Sequence, residues 1–297
     1  MKSYDDLVGD GGSNVIEQVV SQREKLQKRL LPIKHKICLM SGKGGVGKSS
    51  VTTNMAVCLA SQGHKVGILD ADLNGPSIGK LLNVPPSDKL QISPEGVQPA
   101  TGALGIKIMS MDMLLPSADS PVMWNEGKDA TAVWISMMES QALRELLTDT
   151  IWGELDYLLI DMPPGSDRID NVRDLIPDLD GVVEITIPSP ISQHIVSKSI
   201  AKSSQLGIPI IGLVENMATY VCPHCNEEGK LFEGEDVEKL SKDKKIPLLG
   251  RIPFDTRVSR QTGSGKLFFE EHADSVTGKA IQQVTDSILK FIKNKSN

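Results

Sequence analysis

The stretch that decides the fold runs from Gly42 to Ser49 and has the sequence Gly-Lys-Gly-Gly-Val-Gly-Lys-Ser. It fits the pattern G-x-x-x-x-G-K-[ST], whose glycines let backbone N–H groups converge on phosphate oxygens. The apolar run 36–40 before it predicts a buried strand, and the spacing of apolar residues after Lys48 predicts a helix that ends at Gly63. A strand, a glycine loop and a helix in this order predict a phosphate-binding loop.

The residues of this loop have distinct expected roles. Lys48 is expected to reach the β- and γ-phosphates, and the Ser49 hydroxyl to bind Mg²⁺. Ser50 is a candidate ligand for the α-phosphate. The helix that starts here adds a partial positive charge. The alternative, a glycine-rich turn without a ligand, is disfavoured by the strand and helix on either side.

Acidic residues follow two further apolar runs. The segment 65–72 predicts a strand ending in Asp70 and Asp72, and the segment 158–161 predicts one ending in Asp161. In an open parallel sheet, ligands bind beyond the carboxyl ends of the strands. We therefore expect Asp161 to hold Mg²⁺ through a water molecule, and Asp70 and Asp72 to orient water for attack on the γ-phosphate. The alternative is that each Asp only caps the turn after its strand.

Strand-like runs alternate with helical patterns along the chain, which is typical of βαβ units. The predicted fold class is α/β, a doubly wound, mostly parallel sheet with helices on both faces, as in P-loop NTPases. Residues 1–33 are predicted to be an N-terminal extension with a charged helix. Residues 34–297 are predicted to form the P-loop domain, including the segment 222–225.

The four cysteines fall into two groups. Cys38 lies in the first predicted strand and Cys58 on the apolar face of the first helix, so both are expected to be small buried side chains. Cys222 and Cys225 lie in a polar stretch, and two thiolates at this spacing can bind one edge of a metal centre. A tetrahedral zinc site or a four-iron cluster needs about four such ligands. Two copies of the pair across a twofold axis would supply them, and a structural zinc, a redox dithiol and idle cysteines remain alternatives.

The chain resembles the deviant Walker A ATPases, which include MinD, ParA and the nitrogenase iron protein, and within them the Mrp/ApbC-type iron-sulfur cluster carriers. The resemblance covers almost the whole chain from about Lys34 onward. It is carried by the loop Gly42 to Ser49, Asp70-Ala-Asp72-Leu-Asn-Gly75-Pro76-Ser77, Trp152 to Gly165, Glu215-Asn216-Met217 and Cys222-Pro-His-Cys225.

The resemblance implies a role for each matching residue. Lys43 would cross a dimer interface to the partner's phosphates, the segments 75–77 and 163–165 would act as switches, and Asn216 would contact adenine. The implied catalytic residues are Lys43, Lys48, Asp70 and Asp72. The implied nucleotide site comprises Gly42, Lys43, Gly44, Gly45, Val46, Gly47, Lys48, Ser49, Ser50, Asp161, Gly165 and Asn216.

The implied cofactors are ATP, Mg²⁺ and a [4Fe-4S] cluster that Cys222 and Cys225 of two protomers hold between them. After Gly165 the chain has Ser166-Asp167-Arg168, whereas the family usually has Thr-Gly-Asp or Thr-Ser-Asp. Because this shifts the acidic residue by one position, we expect ATP hydrolysis to be slow.

The net charge of −6 disfavours nonspecific nucleic-acid binding. The chain shows neither a signal peptide nor an apolar run of about 18 residues, so we expect a cytoplasmic protein without a membrane partner. Two functions remain: an ATP-dependent carrier that forms a homodimer and serves apo iron-sulfur proteins, and a MinD/ParA-like spatial or partition ATPase. The cysteine pair favours the carrier.

Overall fold

The structure is a computed structural model. It describes residues 15–84, 90–115, 132–165, 169–221, 224–225, 227–232, 237–260 and 266–295. The strands in these ranges are β1 Ile33–Ser41, β2 Val66–Asp70, β3 Ile92–Ser93, β4 Gly96–Val97, β5 Ala100–Thr101, β6 Lys107–Met109, β7 Leu155–Asp161, β8 Gly181–Thr186, β9 Ile210–Val221, β10 Glu228–Gly229 and β11 Leu248–Phe254. The helices are α1 Val15–Leu30, α2 Lys48–Ser61, α3 Ile78–Leu81, α4 Ala132–Asp149, α5 Ile169–Leu175, α6 Pro190–Gln205, α7 Val237–Lys244, α8 Thr256–Arg260, α9 Phe268–His272 and α10 Val276–Lys295.

One nine-stranded sheet organises the described part of the chain. Its strand order is β10-β9-β8-β1-β7-β2-β6-β5, and β11 also pairs with β9. The pairs that involve β1, β2, β7, β8 and β11 are parallel, while β5 and β10 pair antiparallel with their neighbours. The prediction of a mostly parallel sheet is confirmed. The carboxyl ends of β1, β2 and β7 consequently meet at one edge.

Helices cover both faces of this sheet, as a doubly wound fold requires. Along β1 the side chains alternate: Ile37 and Leu39 pack in the core that includes α2 and α10, and Cys38 and Met40 pack in the core that includes α4 and α5. All four are fully buried. A central parallel strand is therefore apolar at successive positions, since both of its faces are covered.

Helix α1 packs against the sheet domain. Leu26 and Leu30 are buried in the same core as α4, and the Lys25 ammonium pairs with the Asp149 carboxylate at 2.7 Å. Arg29 Nε donates to the carbonyl of Thr148 at 3.2 Å. This helix therefore packs on the domain, while the division into units 1–33 and 34–297 stays a prediction.

Two strands differ in length from their predicted ranges. Strand β2 ends at Asp70 and not at Asp72, because the Asp70 carboxylate accepts the backbone N–H of Asp72 at 3.2 Å and turns the chain. The apolar run 208–214 predicts a strand that ends near Val214, but strand β9 continues to Val221. Backbone pairing with β11 extends β9 through polar residues, which a hydrophobic pattern does not identify as part of a strand.

The last helix, α10, buries Ile281, Val284, Ile288 and Ile292 against the core. The helix therefore packs against the domain. None of the described helices combines the length and the apolar character that crossing a membrane requires.

Candidate functional site

The loop 42–47 connects the carboxyl end of β1 to the first turn of α2. Gly47 has φ +81 and forms the N-cap of α2. A Cβ atom at Gly47 would lie 2.3 Å from Asn216 Nδ2, so both the backbone angle and the space require glycine here. Val46 is buried and anchors the loop to the core. The loop therefore has the tight turn and the exposed helix start that phosphate binding needs.

Asp161 lies at the centre of the polar side chains behind this loop. Its carboxylate is fully buried and accepts the Lys48 ammonium at 2.6 Å, the Ser49 hydroxyl at 2.6 Å and the Thr52 hydroxyl at 2.7 Å. Thr52, one helical turn after Lys48, was not predicted as a site residue; its spacing from Lys48 was the only available signal. A hydroxyl beside a carboxylate supplies the oxygen ligands that Mg²⁺ prefers, so Ser49 and Asp161 fit this ion.

Asp70 lies next to Asp161 in the register of β2 and β7. It is almost fully buried, and its carboxylate accepts the backbone N–H groups of Ser77 at 2.8 Å and Ile78 at 3.1 Å. Burial, followed by the charge of Asp161, raises the pKa of Asp70 to about 7. The structure thus shows Asp70 holding the loop 71–77, and its role in orienting water stays a prediction.

Asp72 lies in the same loop and is partly exposed. Its carboxylate accepts the backbone N–H of Gly75 at 3.2 Å. Lys43 is also partly exposed, and no described residue holds its ammonium in an ion pair. Both side chains therefore lie at the solvent side of the site, and their roles in catalysis stay predictions.

Asn216 joins β9 to the phosphate loop. Its side-chain amide donates to the carbonyl of Val46 at 2.8 Å, and the residue is buried. It lies within β9, opposite Ile252 of β11, and beyond the apolar run 208–214. The prediction that Asn216 contacts adenine remains untested.

A cavity of about 210 Å³ opens beside Asn216 and the start of α2. Its apolar lining consists of Val51, Met217, Ile252, Pro253, Phe254, Val258 and Ile281. Its polar lining includes Asn54, Asn216, Asp255, Ser259 and Thr277. Apolar walls with a few polar groups suit a flat heterocycle next to a phosphate loop. The residues from β11 and α10 were not predicted, because no local motif marks them.

The cysteines separate as predicted where the structure describes them. Cys38 and Cys58 are buried, and burial raises the pKa of both thiols, that of Cys58 to about 11. Cys225 is exposed and not in a disulfide, and its sulfur lies 3.8 Å from the Glu227 carboxylate. Cys222 and the segment 166–168 lie outside the described residues. In the described ranges no group of three or more His, Cys, Asp or Glu side chains is placed to hold a metal ion.

Strand β9 connects the cavity to the cysteine segment. Met217 has φ +53 and lines the cavity, and the pairing with β11 shifts in register between Ile252 and Phe254. Phe254 pairs with Tyr220, with ring centroids 6.2 Å apart. Tyr220 precedes Cys222 by two positions in the sequence. The bulged strand that forms part of the cavity wall therefore ends at Val221, directly before the cysteine segment in the sequence.

Solved structures with the same fold define the class. The chain is similar to a nucleotide-binding protein from Archaeoglobus fulgidus, solved in complex with ADP, with 37% identity and a TM-score of 0.67 over 82% of this chain and 91% of that one. It also has the fold of the cell division ATPase MinD from Pyrococcus furiosus, with 22% identity and a TM-score of 0.61 over 86% of this chain and 98% of that one. Fold and loop together define a P-loop NTPase of the MinD/ParA type.

Sequence comparison gives the family within this class. The model of the ParA family described as NUBPL iron-transfer P-loop NTPase matches residues 32–289. The chain is 38% identical over 281 residues to the iron-sulfur cluster carrier protein of Saccharolobus solfataricus, which covers 94% of this chain and 91% of the relative. The chain belongs to the NUBPL iron-transfer P-loop NTPase family. The resemblance inferred from the motifs is confirmed.

Proposed function

We propose that this protein binds and hydrolyses ATP, holds a [4Fe-4S] cluster between two protomers and transfers the cluster to apo iron-sulfur proteins. One observation carries the proposal: the strand whose Asn216 bonds to the phosphate loop leads directly to the segment with Cys222 and the exposed Cys225. Membership in a family of iron-transfer NTPases supports it. The cytosol, where thiols stay reduced, is the compartment that suits this chemistry.

ATP would bind with its phosphates in the loop 42–47 and its base in the cavity beside Asn216. Lys48 would then exchange part of its contact with Asp161 for the β- and γ-phosphates. Ser49 would bind Mg²⁺ directly, and Asp161 would bind it through a water molecule. Mg²⁺ supplies charge neutralisation on the phosphates when it is bound. The relative from Archaeoglobus fulgidus, solved in complex with ADP, supports nucleotide as the ligand.

Hydrolysis would use groups on the solvent side of the phosphates. Asp72 would orient water, and Asp70, whose carboxylate accepts the backbone N–H groups of Asp72 and Ser77, would set the position of the loop that carries Asp72. Lys43 would reach the phosphates of the partner protomer. A cation supplied from the partner stabilises charge that develops in the transition state. This arrangement makes hydrolysis depend on the dimer.

The cluster is cargo and is held by thiolates. One chain offers the pair Cys222 and Cys225, and the other cysteines are buried at Cys38 and Cys58. A [4Fe-4S] cluster takes about four thiolates, so two pairs related by a twofold axis complete the set. Cys225 is exposed, as the transfer of a cluster to another protein requires.

The alternative, a MinD/ParA-like spatial or partition ATPase, has less support. The likeness to MinD is at 22% identity and concerns the fold. The apolar face of α10 is buried against the core and is not offered as a surface anchor. The relative with the higher identity carries the name of an iron-sulfur cluster carrier.

The proposal is tested by anaerobic reconstitution with iron and sulfide. Wild-type protein is expected to develop the visible iron-sulfur absorption band with about four irons per two chains. Cys222→Ser and Cys225→Ser should each lose the band while binding ADP with unchanged affinity. Scattering or ultracentrifugation should show that the loaded form contains two chains.

Cys58→Ala is the matched control, because it removes a thiol that is buried in the core. It should load as much iron as the wild type. An unchanged band in Cys225→Ser, a zinc content equal to the iron lost, or a loaded species with a single chain would overturn the carrier proposal.

A further inference from the structure

Helix α4 contacts the loop that follows β2 and the helix α5 that follows β7. The Asn74 side-chain amide donates to the Glu139 carboxylate at 2.6 Å. The Asn171 side-chain amide donates to the Ser140 hydroxyl at 2.7 Å. Glu139 and Ser140 are adjacent in α4, while Asn74 and Asn171 belong to separate segments of the chain. Two neighbouring residues of α4 therefore form hydrogen bonds to the loop after β2 and to α5.

The first segment is the loop 71–77 between β2 and α3. Asp70 accepts the backbone N–H groups of Ser77 and Ile78 at its end, and Asp72 accepts that of Gly75 within it. Asn74 is exposed, and its bond to Glu139 crosses from this loop to α4. This bond ties the loop that carries Asp72 to α4.

The second segment is helix α5, which begins at Ile169 soon after β7 ends at Asp161. Ile169 and Val172 are fully buried, so α5 is fixed to the core on one face. On the side of α4 it is held through Asn171. The position of α5 therefore constrains the chain segment that connects it to Asp161 at the end of β7.

Glu139 is only 3% exposed. Burial of a carboxylate is unfavourable unless hydrogen bonds compensate it, and packing alone would be served by an apolar residue. A bond from a neutral amide to a carboxylate is also stronger than a bond between two neutral groups. The simplest alternative is that Glu139 only stabilises the packing of α4.

We propose that Glu139, with Ser140, is a positioning residue for ATP hydrolysis: α4 clamps the loop of Asn74 and the start of α5 in one relative position. In this arrangement Asp72 and the chain after Asp161 approach the γ-phosphate together. The inference rests on the proposed ATPase activity. Glu139 does not contact nucleotide in this arrangement, so substitutions at Glu139 should leave the affinity for nucleotide unchanged.

The test compares steady-state ATP hydrolysis by the full chain with Glu139→Ala, Glu139→Gln, Asn74→Ala and the double variant of Asn74→Ala and Glu139→Ala. Glu139→Ala should lower kcat roughly ten- to a hundredfold, the range that small misplacements of catalytic groups produce. The KM for ATP and the Kd for ADP should stay within about twofold, because the phosphate loop is untouched. Glu139→Gln should recover most of kcat, since its side-chain carbonyl can accept the Asn74 amide.

Asn74→Ala keeps the test valid if Glu139→Ala folds poorly, because Asn74 is exposed and its truncation leaves the core intact. It should lower kcat as Glu139→Ala does, and the double variant should be no slower than the slower single variant. Gln141→Ala is the matched control: Gln141 is an exposed polar residue of the same helix, bonded to Glu145 at 2.8 Å. It should keep the wild-type kcat.

A wild-type kcat in Asn74→Ala, or additive losses in the double variant, would overturn the positioning role. A parallel loss of ADP affinity and kcat would do the same, because it would indicate a general structural defect. If the wild-type protein itself hydrolyses no ATP when dimeric, the proposed function fails. These failures are distinguishable, since iron loading of Glu139→Ala should equal that of the wild type.

Discussion

The phosphate-loop end of the sheet and the cysteine segment are built in opposite ways. At the loop, Lys48 is 7% exposed and Asp161 is fully buried, and each polar group meets a partner in the same chain. At the cysteine segment, Cys225 is exposed and its sulfur lies 3.8 Å from the Glu227 carboxylate. The buried contacts of Asp161 in the first region are complete within one chain. The second needs ligands from a second chain in our proposal.

The largest effect is expected from removing the buried lysine of the phosphate loop. Lys48→Ala should weaken ADP binding at least about a hundredfold, because a charge-assisted contact with the phosphates is lost. It also leaves the buried Asp161 carboxylate with only hydroxyl partners, and the free energy of unfolding should fall by about 3 kcal/mol. Calorimetric titration and denaturant unfolding measure the two effects. An affinity within about threefold of wild type would contradict the assigned role of the loop.

The next prediction separates nucleotide binding from the role of Lys43 in the partner's site. Lys43→Ala should keep ADP affinity within about twofold but lower ATP hydrolysis by about tenfold or more, as expected for a cation supplied by the partner. Lys65→Ala is the control, since it removes an exposed lysine at the opposite edge of the sheet. Equal loss of affinity in Lys43→Ala and Lys48→Ala would remove the evidence for a role in the partner's site.

A third effect concerns the pH dependence of the buried acids. The pKa of Asp70 is raised from 3.8 to about 7, so between these values the folded protein binds more protons than the unfolded chain. Its contribution to the free energy of unfolding therefore falls as pH rises from about 4 to 7, by up to ~1.4 kcal/mol per pH unit, and changes little above about pH 8. Asp70→Asn should remove this slope.

Glu184 provides the comparison for this measurement, because burial raises its pKa to about 7 as well. Glu184→Gln should remove a second slope in the same pH window and leave that of Asp70. Denaturant unfolding of the wild type and of each variant between pH 5 and 8 separates the contributions of Asp70 and Glu184 to the pH dependence of the free energy of unfolding. A slope identical in wild type and Asp70→Asn would show that Asp70 ionises normally in the folded protein.

The smallest effect links the two regions. In metal-free protein, thiol labelling should be confined to Cys222 and Cys225, because the other two thiols are buried and have raised pKa values. Addition of Mg²⁺ and ATP should change the labelling rate about fivefold. Tyr220→Leu should reduce this change to less than about twofold without altering ADP affinity, since the contact with Phe254 is lost.

Tyr220→Phe is the matched control, because it keeps the ring against Phe254. It should respond to nucleotide as the wild type does. A full response in Tyr220→Leu would show that β9 and β11 do not transmit the state of the cavity to the cysteine segment.

Local patterns predicted the parts of the site that are made from contiguous residues. The glycines of the loop, the helix after Lys48 and the buried Cys38 all follow from short-range rules of conformation and burial. Thr52 was missed because a threonine within a helix has no distinctive signal. The lining from Pro253, Phe254 and Thr277 was missed because these residues approach Asn216 only after the sheet and α10 have assembled.

The sequence by itself determined the phosphate loop, the parallel sheet and the edge at which three acidic residues meet, because backbone preference and hydrophobic period act over a few residues. Only the tertiary structure decided which acid takes which partner. Asp161 binds Lys48 across 113 positions of sequence, whereas Asp70 turns to the backbone of its own loop. The register of β2, β7 and β1 sets these distances, and a register depends on the packing of both helical layers at once.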